Sequence, residues 1–410
     1  MSVHAEAAAP HRILGVIVNR RTGSPPIAEA VFCRRLCQSG RRYGLTVLIF
    51  TADGIEPQHG SISGYIYRGK RWIRSRITLP DLIYDRQSGS ERRASSRLGL
   101  QRLAEQTARP LRYWSRGLPG KWHVYKKLAT DYQLRPVLPP TLPYYGGRLL
   151  RDKLQQQPRL FLKPQAGTHG KGVLAVVSSP DGKYLSVAGR NHRNQSFRLR
   201  FQNLDTAIDW VDEYIAGQRY IVQPFLDLRG RGGRPFDVRA LVQKNLAGIW
   251  TLTGLVVREG NNPEGLTSNL HGGGSAHQAL AYLEELFGQE MAAILVQRLE
   301  MLALKLPSLI EAHYGSLGEL GIDFGVDTSR RIWLLEVNSR PGRSAFFGLE
   351  DLTSARQSIY RPLQYARYLI GKHDRQDRMT ASHSPEAHFQ VNSPADPAAA
   401  LPRGPYRLSG

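Results

Sequence analysis

Gly321-Ile322-Asp323-Phe324-Gly325-Val326-Asp327, followed by Leu335-Glu336-Val337-Asn338-Ser339-Arg340-Pro341-Gly342, is the stretch on which the fold turns. It reads as two short β-strands joined by the polar turn Thr328-Ser329-Arg330, with acidic groups set among apolar ones. Side chains alternate along a strand, so Trp333, Leu335 and Val337 are expected on one face and Glu336 with Asn338 on the other. With an even number of residues in the connection, Asp323 falls on the face of Glu336. Two carboxylates and an amide oxygen then converge, and such hard oxygen donors suit Mg²⁺. A buried carboxylate pair needs a compensating cation, because uncompensated buried charge costs several kcal/mol. A hairpin whose acids face water has the same residues, so the segment alone leaves both readings open.

The flanking sequence alternates strand and helix patterns. Residues 13–18 form an apolar run, 28–38 have a helical pattern and 45–51 form a second strand. This β-α-β order predicts an N-terminal α/β domain over 12–115, preceded by a disordered lead-in at 1–11. Further strands at 62–67, 72–73 and 81–86 complete it. A helix over 122–132 and a linker punctuated by Pro136, Pro139, Pro140 and Pro143 open a second region over 116–372. A helix at 148–157 precedes the strand Leu160-Phe161-Leu162. A glycine-rich turn and a strand at 173–177 follow, then a helix at 205–215 and a strand at 220–222. Beyond a basic loop at 229–234 come strands at 238–243 and 250–257. Helices at 276–287 and 289–313 are next, the second bent at Pro307. A helix at 355–370 closes the region, and the polar, Pro/Ala-rich 373–410 is expected to be a disordered tail.

A net charge of +22 raises the question of nucleic acid. The cations are 45 Arg and 11 Lys, scattered from Arg12 to Arg407 with no stripe and no interleaved aromatics. Nucleic acid is therefore not the expected main partner. No apolar run reaches the roughly 18 residues of a membrane span, and 13–18 is too short for a signal peptide, so a cytoplasmic location is expected. Cys33 and Cys37 have no second Cys or His pair to complete a zinc site and are expected in the core.

The second chemistry-bearing stretch is Gly167-Thr168-His169-Gly170-Lys171-Gly172, just after Lys163. Small residues let backbone amides approach an anion closely. Neither the G-x-x-x-x-G-K-[ST] phosphate loop nor the G-x-G-x-x-G dinucleotide pattern is present. An ordered series frames this turn. Lys121 stands ahead of a helix, then come Phe161-Leu162-Lys163-Pro164 and Val222-Gln223-Pro224-Phe225-Leu226. Phe236-Asp237-Val238-Arg239, Val257-Arg258-Glu259 and Ser268-Asn269-Leu270-His271-Gly272-Gly273-Gly274 follow, and the Asp323/Glu336/Asn338 hairpin ends it. Over roughly residues 115–345 the series resembles the ATP-grasp superfamily. Pro80-Asp81-Leu82-Ile83-Tyr84-Asp85-Arg86 is similar to the YheC/YheD branch, described as endospore-coat-associated.

The resemblance implies an N-terminal α/β (pre-ATP-grasp-like) domain followed by a two-subdomain α+β ATP-grasp fold. It implies that Lys121 and Lys163 contact nucleotide phosphates, that Gly167, Thr168, His169, Gly170, Lys171 and Gly172 form a flap over them, and that Gln223, Phe225 and Leu226 form the hinge beside adenine. Asp323, Glu336 and Asn338 would hold Mg²⁺, or Mn²⁺ in its place. Arg239 and Arg258 would hold the γ-phosphate or an acyl phosphate, Asn269 would position substrate, and Gly272 to Gly274 would let it approach. The hinge departs from the family pattern, carrying Gln223-Pro224 where many relatives have an acidic residue followed by Lys or Tyr. The implied activity is ADP-forming ligation of an unidentified carboxylate, acidic or polymeric, to an amine or other nucleophile. A kinase using the same clamp and a spore-coat scaffold retaining an ATP site are the rival readings.

Overall fold

The computed structural model describes residues 12–382 apart from 168, 169, 182, 192, 194, 267 and 269–272. The roles expected of Thr168, His169, Asn269 and Gly272, the lead-in and the tail beyond Ser382 lie outside the described residues. Helices are α1 (Ala30–Gly40), α2 (Ser90–Gln106), α3 (Lys121–Leu128), α4 (Gly147–Gln156), α5 (Leu204–Ile215), α6 (Ala279–Phe287), α7 (Gln289–Tyr314) and α8 (Thr353–Ser382).

The first sheet contains β1 (Arg12–Ile17), β2 (Leu45–Phe50), β3 (Ile55–Glu56), β4 (Ser61–Arg68), β5 (Arg71–Ile77) and β6 (Leu82–Asp85). Its order is β3-β4-β2-β1-β6, with β5 paired to β4. β1 lies parallel to both β2 and β6. A strand with parallel partners on both sides is covered on both faces, which is why Leu14 to Val18 is an unbroken apolar run. Helix α1 buries Cys33, Leu36 and Cys37, spaced by three and four residues, against one face. Helix α2 buries Leu100, Leu103 and Ala104 against the other. Both cysteines are free, buried thiols, as their spacing without partners predicts.

The second sheet contains β7 (Leu142–Pro143), β8 (Arg159–Pro164), β9 (Leu174–Ser178), β10 (Leu185–Arg190), β11 (Ser196–Phe201) and β12 (Tyr220–Pro224), in the order β11-β10-β9-β8-β12-β7. Alternation sorts its residues. Leu160, Leu162, Tyr220 and Val222 pack with α4 and α5, which leaves Phe161, Lys163, Ile221 and Gln223 for the opposite face. The third sheet contains β13 (Phe236–Lys244), β14 (Trp250–Glu259), β15 (Ser275–Gln278), β16 (Glu319–Val326) and β17 (Ile332–Asn338), in the order β15-β14-β13-β16-β17. Val238, Ala240, Val242, Leu320, Ile322 and Phe324 pack under α6 and α7 on one face. The residues between them, Asp237, Arg239, Gln243, Glu319 and Asp323, share the other.

Several elements differ from expectation: β10 and β11 fill a stretch where no strand was expected, and β3 and β7 are short additions. Ser275–Gln278 is an edge strand on β14, so the helix expected from 276 starts at Ala279. Helix α2 is absent from the sequence reading because its few buried apolar residues stand among Arg, Ser and Gln. Helix α8 runs to Ser382, past the expected start of the tail at His373.

The three sheets belong to one compact unit ending at Ile370; a second begins at Gly371, and only the end of α8 is described in it. Within the first unit, α8 buries Ile359, Leu363, Ala366 and Ile370 with Trp114 against the first sheet. A charged joint ties the first sheet to the third. Glu319, with no exposed surface, accepts hydrogen bonds from Arg86 and Gln243 at 2.9 Å each, and from Tyr84 and Arg343. Arg86 also pairs with Glu29 at 2.9 Å and donates to the Pro341 carbonyl at 3.1 Å. Removing one partner of a buried ion pair leaves the others uncompensated, at about 3–5 kcal/mol. Glu319→Ala is therefore expected to cost about 4 kcal/mol in urea unfolding, well beyond a change at an exposed acid such as Glu105.

Candidate functional site

One extra residue in β17 builds the site. Val326, Gly325 and Phe324 pair with Ile332, Trp333 and Leu334, but Asp323 pairs with Glu336, Ile322 with Val337 and Gly321 with Asn338. Leu335 is the inserted residue of a β-bulge. The connection 327–331 has an odd count, so unbroken pairing would put Leu335 opposite Asp323. The bulge restores the parity and brings Glu336 and Asn338 onto the face of Asp323. It also corrects the expected alternation. Leu334 and Val337 lie against the apolar core, and Trp333 shares the side of Glu336 rather than that of Val337. The Leu335 carbonyl, displaced from the ladder, accepts a hydrogen bond from Lys163 Nζ at 3.0 Å.

On the same face, Arg239 lies opposite Asp323 across β13 and β16, and Asp237 opposite Arg258 across β13 and β14. The Arg239 guanidinium makes a two-pronged contact with Asp323, Nη2 to Oδ2 at 2.9 Å. Arg258 grips Asp237 at 2.7 and 2.6 Å and reaches Asp323 at 3.1 Å. Ser268 donates to Asp237 as well. Burial alone would raise the Asp323 carboxyl, but Arg239 and Arg258 outweigh it and hold it well below the usual carboxylate range. Gly321 matters here: a side chain at this position would run into Pro341 and crowd Arg239. Asp237 went unread as a site residue, although period-two alternation in Phe236-Asp237-Val238-Arg239 already puts it beside Arg239.

A cleft opens between the second and third sheets. Lys121, Lys163, Gln223 and Glu336 line it together with Val124, Tyr125, Leu128, Leu138, Ile221 and Leu334. Lys121 Nζ lies 3.6 Å from Glu336 and donates to the Gly167 carbonyl at 3.1 Å, which ties the glycine turn to α3. Gly170 and Gly172 have φ of 66° and 76°, a region that glycine enters without strain. Burial lowers Lys163 to about 8; Lys121 adds to the shift while Glu336 and Asp323 oppose it. Gln223 is buried in the cleft wall, its amide donating to Thr141 at 2.6 Å. Phe225 sits instead against Phe161 and under the Arg159 guanidinium, and neither it nor Leu226 lines the cleft.

Asp323, Glu336 and Asn338 are hard-oxygen donors at adjacent positions of one face, which is the chemistry Mg²⁺ takes. They differ in what they already hold. Asp323 is buried and carries two guanidinia, whereas Glu336 keeps a quarter of its side chain exposed, with Lys121 beside it. Among the described residues no three of His, Cys, Asp and Glu are grouped to hold a metal. Asp323→Asn is expected to cost about 3 kcal/mol in urea unfolding by stranding Arg239 and Arg258. Glu336→Gln should cost under about 1 kcal/mol, because its pair is partly exposed.

Two sequence relatives match along most of the chain. It is 26% identical over 357 residues to the endospore coat-associated protein YheC of Bacillus subtilis (strain 168), covering 84% of this chain and 93% of the relative. To the endospore coat-associated protein YheD of the same organism it is 27% identical over 356 residues, covering 84% and 75%. The fold is similar to that of D-cycloserine synthetase DcsG, with a TM-score of 0.53 at 14% identity over 87% of this chain and 99% of that one. The YheC/D-like ATP-grasp model matches residues 111–369, from the segment ahead of α3 to the packed part of α8. The chain belongs to the YheC/D-like ATP-grasp family.

Proposed function

We propose that the protein binds MgATP in this cleft and uses it to activate a carboxylate, as an ADP-forming ligase. The observation that carries this reading is the placement of Lys121, Lys163 and Glu336 at a cleft with apolar walls, while Arg239 and Arg258 lie on the same sheet face as Glu336. The walls suit a flat base, and the two ammonium groups suit a polyphosphate. Lys121, held to the Gly167 carbonyl, links phosphate contact to the position of the glycine turn, including Gly170, Lys171 and Gly172, as a flap. Mg²⁺ held by Glu336 and Asn338, with Asp323 behind them, would neutralise phosphate charge.

A substrate carboxylate oxygen attacks the γ-phosphorus, the bond to the bridging oxygen breaks, and ADP leaves with that electron pair. An amine then attacks the acyl carbon, inorganic phosphate departs and the amine proton is released. Such transfers are driven by positioning and charge neutralisation. Arg239 and Arg258 are planar donors suited to the oxygens of the acyl phosphate. The names of both relatives support a link to the endospore coat as part of the same proposal.

Two measurements test the reading. Phosphate near Lys163 favours its charged form, so at pH 9, above its value of about 8, MgADP binding should take up a proton. At pH 6.5 the lysine is already charged and uptake should vanish, as it should at both pH values in Lys163→Arg. Titration calorimetry in buffers of different ionisation enthalpy reads this directly. Incubation of MgATP with carboxylate pools and hydroxylamine should release ADP and form hydroxamates. Nucleotide binding without carboxylate-dependent ADP release would exclude the ligase, and a stable phosphomonoester would make the protein a kinase.

A further inference from the structure

Arg340 follows the metal-type hairpin by two residues beyond Asn338, and its role is not covered by the nucleotide site. Its Nε donates to the Asp85 carbonyl at 3.0 Å and its Nη2 to the Asp85 carboxylate at 2.9 Å, both at the end of β6. These bonds point the remaining Nη1 toward Gly117, in the linker ahead of α3. Arg93, in the first turn of α2, reaches the same place. Among the described residues its hydrogen bond is from Nε to the Gly89 carbonyl at 3.3 Å. A Cβ on Gly117 would lie 3.1 and 3.2 Å from the two Arg340 Nη atoms and 3.5 Å from Arg93 Nη1.

Two guanidinia therefore converge on a backbone with no side chain between them, from segments far apart in sequence. Like charges brought together need a reason, and among the described residues Asp85 is the single carboxylate paired with either of them. Burial lowers the Arg340 pKa; Arg93 and Arg86 push the same way, and Asp85 only partly opposes them. Gly117 and Arg93 both keep access to solvent. The linker also touches the hairpin, with the Leu118 N–H donating to Ser339 Oγ at 3.1 Å. The surrounding N-terminal region is strongly basic, with 19 Lys and Arg against 7 acids over residues 12–115.

We propose that Arg93 and Arg340, whose guanidinia both lie against Gly117, form an anion subsite for a second acidic group on the carboxylate substrate. The proposal rests on the ligase reading for the identity of its ligand as substrate, while the subsite itself is tested without turnover. The substrate class is then a molecule with at least two anionic groups, one reacting beside Asn338 and one held by the guanidinium pair. Paired guanidinia match carboxylate or phosphate oxygens by geometry as well as charge.

The test uses the full chain saturated with MgADP, titrated with glutarate, its neutral analogue glutaramide and inorganic phosphate. Glutarate or phosphate should bind and glutaramide should not. Whichever of the two binds tighter tells whether the second group is a carboxylate or a phosphate. Arg93→Gln should weaken anion binding by about tenfold or more, the loss of one charge-assisted contact. Gly117→Ala, which keeps every charge but fills the gap, should weaken it comparably. The MgADP titration on each variant reports the nucleotide site and the fold separately. Anion binding that survives both variants, or no anion binding by a wild type that binds MgADP, would overturn the proposal. Failure to bind MgADP, with glutarate binding intact and sensitive to Arg93, would instead remove the nucleotide reading and leave the subsite standing.

Discussion

A single inserted residue, Leu335, sets the geometry on which the site depends. Without it Glu336 would turn toward the core beneath α6 and α7, where an unpaired carboxylate costs several kcal/mol. With it, acid, amide and guanidinium groups from four strands share one face. The carbonyl that the bulge removes from the ladder is the acceptor for Lys163, which belongs to another sheet. The distortion that aligns the metal-type donors therefore also fixes the lysine beside them. Bulges bend and re-aim strands at functional sites for this reason.

That face carries its charges in compensated groups. Asp323 lies between Arg239 and Arg258, and Asp237 holds Arg258 from the far side. The alternation is acid, base, acid, base across three strands, so burial costs little as long as every member is present. The arrangement also bears on chemistry. Arg239 and Arg258 are held in fixed rotamers by carboxylates before any substrate arrives, so little reorganisation is needed to meet an anion. Asp323 therefore acts as an orienting group for the arginines, whatever it also contributes to a cation.

Much of this was legible in the sequence, and the reasons are specific. Strand periodicity in 321–338 gave the hairpin, and the order of Lys121, Lys163 and the acidic hairpin gave the family. Parity was not legible: whether Asp323 faces Glu336 depends on a bulge, and nothing in Trp333-Leu334-Leu335-Glu336 marks which residue is inserted. Helix α2 was missed because its apolar face is only Leu100, Leu103 and Ala104 in an Arg/Ser-rich segment. The guanidinium pair at Gly117 was out of reach for another reason. Arg93, Gly117 and Arg340 are brought together by tertiary packing, and no spacing rule links them. The motif Tyr84-Asp85-Arg86 shows the same limit, since its resemblance was visible but its partners Glu319 and Arg340 were not.

Asp85, the last residue of β6, and Arg86 just beyond it divide two tasks. Arg86 turns toward Glu319 and, with Arg343 and Tyr84, closes a network from which water is excluded. Asp85 turns the other way and anchors Arg340, whose guanidinium lies against Gly117. Alternation along the strand forces this split, because consecutive side chains leave a strand on opposite faces. The buried joint and the anchor of Arg340 are thus set by two neighbouring residues at the end of one strand. A small displacement of β6 would strain the Glu319 network before it moved Arg340. The first sheet is thus pinned to the third through Glu319, while Lys121 ties α3 to the Gly167 carbonyl at the start of the glycine turn.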